Sequence, residues 1–82
     1  MSHVPEEAHS VKAGERYRHY KGGLYEIVCQ AIQENDLSPV VVYRPLSADT
    51  HTVWTRPMDV FFEMVQVGER VTQRFTRVDG DN

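Results

Sequence analysis

The chain has 82 residues, 40% of them hydrophobic and 26% charged, with a net charge of −3. That length admits one domain with a small core, and the balance excludes a disordered chain. The negative charge argues against general nucleic-acid binding, and no apolar run reaches the length of a membrane span.

Residues 1–10 are polar, contain Pro5 and two histidines, and show no period. They predict a flexible leader, with neither the basic start nor the apolar segment of a signal peptide. The domain itself is expected over 11–78, with a solvated tail at 79–82. Val11 to Glu15 reads as a turn into a strand at Arg16 to Tyr20, where polar and aromatic residues alternate. Lys21-Gly22-Gly23 then closes a hairpin, because paired glycines accept the positive φ of tight turns. In the strand that follows, Tyr25, Ile27, Cys29 and Ala31 share one face, and that face is expected to be buried. Gln33 to Pro39 is a polar turn. Val40-Val41-Val42-Tyr43-Arg44 carries three β-branched residues in a row and is the clearest strand in the chain. Pro45 ends it, and Leu46 to His51 is a loop. Thr52 to Arg56 predicts a fourth strand. Pro57 to Phe62 predicts the only helical piece, with proline at its first position. Glu63 to Val67 is a short strand, Gly68-Glu69 a turn, and Arg70 to Val78 a final alternating strand.

These elements predict a mainly β fold. It is either a small SH3-like barrel or a strongly bent antiparallel sheet of about five to six strands, with one short helical turn. The expected core is Tyr25, Ile27, Cys29, Val41, Tyr43, Val53, Phe61, Phe62, Val65 and Phe75. Cys29 is the only cysteine, so no internal disulfide forms, which agrees with a reducing compartment. With no targeting segment to read, the cytoplasm is the expected location.

The charge is unevenly spread. Residues 16–78 hold eight Lys/Arg against seven Asp/Glu, whereas the flanking residues set Lys12 against Glu6, Glu7, Glu15, Asp79 and Asp81. Basic and aromatic side chains concentrate at strand ends: Arg18, His19 and Lys21 on the first, Tyr43 and Arg44 on the third, Trp54 and Arg56 on the fourth. If these ends meet, guanidinium forks and ring faces converge on one anion-binding surface. The plainer reading is aromatic packing beside a solvated basic face. Cys29, set between Ile27 and Ala31, is expected to be a buried small hydrophobe rather than a nucleophile. The histidines and the cysteine show no zinc spacing, and no cofactor is expected.

The blocks Tyr17-Arg18-His19-Tyr20-Lys21-Gly22, Tyr25-Glu26-Ile27, Val41-Val42-Tyr43-Arg44 and Trp54-Thr55-Arg56-Pro57, followed by Phe61, occur in that order. Together they resemble the small bacterial domain-of-unknown-function family 1653. The resemblance departs at Val60, where methionine is usual, and at Cys29, where a smaller residue is expected. It implies a compact, free-standing, cytoplasmic β domain and no established activity.

The expected function is a non-enzymatic binding module. Its ligand is an anionic small molecule, a nucleotide or an acidic protein segment, held by Arg18, His19, Lys21, Tyr43, Arg44, Trp54 and Arg56. In that reading Arg44 and Arg56 grip charge, Trp54 and Tyr43 stack, and His19 tunes affinity with pH. The alternative is a protein-interaction module that adds a partner strand to an exposed edge. An enzyme acting on a nucleotide or RNA ranks last, since no nucleophile–base pair or metal set can be named.

Overall fold

The computed structural model describes residues 9–47 and 51–78. The tail at 79–82, most of the leader at 1–10, and 48–50 of the loop before the fourth strand lie outside them.

Among the described residues, seven strands and one helical turn follow in order: β1 Arg16–His19, β2 Leu24–Ile32, β3 Pro39–Pro45, β4 Trp54–Pro57, α1 Met58–Phe61, β5 Met64–Val67, β6 Arg70–Gln73 and β7 Phe75–Arg77. Five of them form an antiparallel sheet in the order β4-β3-β2-β1-β7, and β5 pairs with β6 as a separate hairpin. The fold is therefore mainly β with one short helical turn, as expected. The sheet is strongly bent but its ladder does not close into a barrel: β4 and β7 remain its two edges. In a flat sheet β3 and β7 would lie three strand spacings apart, roughly 14 Å. The Tyr43 and Phe75 rings, one on each, have centroids 5.4 Å apart. The chain from α1 to β6 joins the two edges, and α1 packs against β3 and β4.

The β1–β2 turn forms as its glycines dictate. Gly22 and Gly23 have φ of 100° and 86°, a region costly for residues with a Cβ. The β2–β3 turn reaches the same region without glycine, at Leu37 with φ of 61°. It is held by hydrogen bonds from the Leu37 amide to the Gln33 carbonyl and from the Gln33 amide to the Ser38 carbonyl. The amide and hydroxyl of Ser38 also donate to Asp36, holding its carboxyl below the usual range.

The core gathers Val11, Tyr17, Ile27, Val41, Tyr43, Met58, Phe61 and Phe75. Phe61 and Phe75 stack at 4.1 Å, and Tyr17 and Tyr43 meet Phe61 edge-on. Burying such aromatic side chains stabilises by roughly 1.5–3 kcal/mol each, with about 0.5–1.5 kcal/mol more for well-placed ring pairs. Tyr25, Phe62 and Val65 are half-buried.

Four expectations are corrected. Cys29 is exposed, not core. Ile27 pairs with Tyr43 but Cys29 pairs with Val42, so a bulge falls between them. The extra residue resets the two-residue alternation and turns Cys29 to the outer face. Beyond the bulge Gln30 accepts a hydrogen bond from the amide of buried Val11. Val53 is also exposed, because it precedes β4 rather than lying within it. The final strand is two strands, broken at Arg74: β6 pairs with β5 and β7 with β1. Pro57 sits one residue ahead of its expected place. It caps α1 with φ −54° and ψ 142° while its Cα still pairs with Val40.

Candidate functional site

Strand alternation sorts the basic and aromatic residues onto two faces. Trp54 pairs with Tyr43, and Arg56 with Val41, so both β4 side chains share the inner face with the core. His19 pairs with Phe75 on the same side. Arg18 and Arg44 each follow a buried tyrosine, Tyr17 and Tyr43, by one position and face outward. Arg44 is engaged there with Glu26, which also pairs with Arg16 across the neighbouring ladder. The inner cluster therefore contains His19, Tyr43, Trp54 and Arg56, whereas Arg18 and Arg44 lie across the sheet from it. Lys21, in the β1–β2 turn, is exposed, with its ammonium 5.8 Å from the Tyr20 ring centroid.

The curl of the sheet builds this cluster. Arg56 reaches across the inner face, donates from Nε to the Tyr43 hydroxyl at 3.1 Å, and lies 5.7 Å from the Phe75 ring centroid. The Phe75 ring in turn contacts His19, Tyr25 and Tyr43 edge-on. Arg56 is half-buried, and among the described residues no carboxylate lies within salt-bridge distance of it. Tyr43 is 4% exposed, so its ring serves as packing and only its hydroxyl addresses the site.

His19 accepts a hydrogen bond at Nδ1 from the Lys21 amide, which leaves Nε2 to carry the proton of the neutral ring. Burial pushes its pKa below the ordinary value, and the charges of Arg56, Arg74 and Lys21 push it the same way. Arg74 is the functional candidate that sequence reasoning missed. Its Nε donates to the Val60 carbonyl, its Nη2 to Glu63, and its own carbonyl accepts from the Tyr20 amide. It ties the end of α1 to the β1–β2 turn and brings a second guanidinium toward His19. No signal could have found it: Arg70 to Val78 contains neither glycine nor proline to mark the break.

No group of three or more His, Cys, Asp or Glu residues among the described residues is placed to hold a metal ion. No described helix is long and apolar enough to cross a membrane. The arrangement offers cationic and neutral hydrogen-bond donors over an aromatic floor, chemistry that suits an anionic group.

A sequence profile of DUF1653, described as a protein of unknown function, matches residues 15–77. The crystal structure of a DUF1653 protein from Bordetella bronchiseptica is similar at 33% identity and a TM-score of 0.71. That match covers 83% of this chain and 87% of the other. No curated protein matches. With a profile spanning most of its length and a family structure sharing its fold, the chain belongs to the DUF1653 family.

Proposed function

We propose that the chain is a non-enzymatic binding module that holds an anionic group over His19 and Arg56 of the inner-face cluster. One observation carries this reading: Arg56 is half-buried on an aromatic floor without a carboxylate partner among the described residues. With no acid beside it among the described residues, the guanidinium keeps a positive potential there, and an incoming anion can neutralise it through a bidentate fork. Neutral His19 contributes an Nε2–H donor, and Lys21 supports attraction from the rim. Arg18 and Arg44, on the other face, are left out of this reading. The unpaired Cys29 is compatible with a reducing, cytoplasmic setting.

The test is a titration of the labelled protein with phosphate and carboxylate anions, followed through the arginine Nε–H and His19 imidazole NMR signals. Shifts at Arg56 Nε–H and His19, with the His19 shift lost in Arg56→Met, support the reading. Shifts confined to Arg18 and Arg44 overturn it.

The open outer edge of β4 favours a second reading, in which an extended protein segment adds as a further strand. A partner kept after Arg56→Ala but lost after Thr55→Pro distinguishes it from the first.

A further inference from the structure

We infer that the ligand of this site carries a flat aromatic ring that stacks on Trp54 beside the anion held by Arg56, the chemistry of a nucleoside monophosphate. The inference rests on the anion-binding reading above and names its ligand class.

Trp54 stands apart from every other large ring. Each described tyrosine and phenylalanine makes at least one ring contact: Tyr17, Phe61 and Phe62 with one another, Tyr25, Tyr43 and Phe75 likewise, and Tyr20 with His19. Trp54 makes none among the described residues, and it is 53% exposed. An indole is the largest apolar side chain, and leaving half of it in water forfeits about half of its burial energy. Its position is specific as well. It lies opposite Tyr43 and two residues before Arg56 on the same face of β4, at a spacing of roughly 7 Å along the strand. One side chain thus presents an indole without a ring partner among the described residues, and the next a guanidinium without a carboxylate partner among them. A base on the indole and a phosphate on the guanidinium would satisfy both at once. Stacking of this kind tolerates any base, because each has a π face, and no base-edge selectivity is expected.

Strand addition makes a poorer use of the same residues. β4 is four residues long and ends in proline, features that blunt an edge.

Trp54 is the only tryptophan in the chain, so its fluorescence reports on this position alone. The full chain is titrated with AMP, CMP, adenosine, ribose 5-phosphate and inorganic phosphate, by fluorescence and by calorimetry. AMP and CMP are expected to quench Trp54 and to bind about ten-fold more tightly than ribose 5-phosphate. Trp54→Leu is expected to erase that preference while leaving ribose 5-phosphate binding unchanged, and Trp54→Phe to restore part of it. Equal affinity for AMP and ribose 5-phosphate overturns the ring and leaves the anion site standing. Binding of adenosine as tight as that of AMP, or of no phosphate at all, overturns both. Thermal melts of the variants confirm that each compared protein is folded.

Discussion

Tyr43→Phe removes a single oxygen from a ring that is otherwise packed on Ile27, Phe61 and Phe75. The lost interaction is the 3.1 Å hydrogen bond from Arg56 Nε. A net intramolecular hydrogen bond contributes about 0.5–1.5 kcal/mol, and a charged donor raises it. Arg56 is only half-buried, so water can reach the abandoned Nε–H, which excludes the larger penalty of a stranded buried charge. The expected loss is therefore about 1 kcal/mol, or about 4–8 °C in melting temperature for a domain of this size. The assay is a double-mutant cycle in urea with Tyr43→Phe, Arg56→Met and the double variant. Methionine keeps the stem of the arginine without a donor. If the bond anchors Arg56, Tyr43→Phe costs about 1 kcal/mol in the parent and nearly nothing beside Arg56→Met. The same variant weakens anion binding, because the guanidinium loses its orientation. Additive losses, within about 0.3 kcal/mol, would show that the two side chains are not coupled and that the site lacks its anchor.

His19 is expected to titrate below 6.5 in an imidazole NMR series, through burial first and then the charges of Arg56, Arg74 and Lys21. The unfolded chain then takes up a proton that the folded chain resists. Stability falls as pH drops through 6.5 and levels off below the folded midpoint, and a midpoint at or above 6.5 refutes the cationic surroundings. Arg56→Met raises that midpoint without bringing it to the ordinary value, since burial remains. Cys29 is expected to react with a thiol reagent in the native protein as readily as in the unfolded one, whereas a rate limited by unfolding contradicts the bulge. Leu37, 74% exposed and at positive φ, carries a backbone cost of about 1–2 kcal/mol that glycine avoids. Glycine loses about 0.5–1 kcal/mol of that gain to the entropy of the unfolded chain. Leu37→Gly is thus expected to be neutral to slightly stabilising by chemical denaturation, and a clear loss indicates a contact by this side chain.

Local chemistry makes most of the strands legible in the sequence. The β-branched run at Val40–Val42, the alternation at Arg16–His19, the paired glycines at 22–23 and the proline before Met58 each prescribe a backbone shape within a few residues. The family resemblance, the mainly β class, and His19, Trp54 and Arg56 as places to look came from the same residues.

Other features depended on distant neighbours. The bulge after Ile27 answers to the register against Tyr43 and Val42, so the alternation of β2 alone sent Cys29 to the wrong face. The break at Arg74 is held by Val60, Glu63 and Tyr20, none adjacent to it in sequence. Which arginines share a face, and which one keeps no acid beside it, follows from pairing and from how far the sheet curls. The residues alone determined the short-range β pattern and its turns. Only the tertiary structure put Arg56, and not Arg44, on the inner face, because strand period assigns a face relative to a neighbour and packing decides which face is the inside.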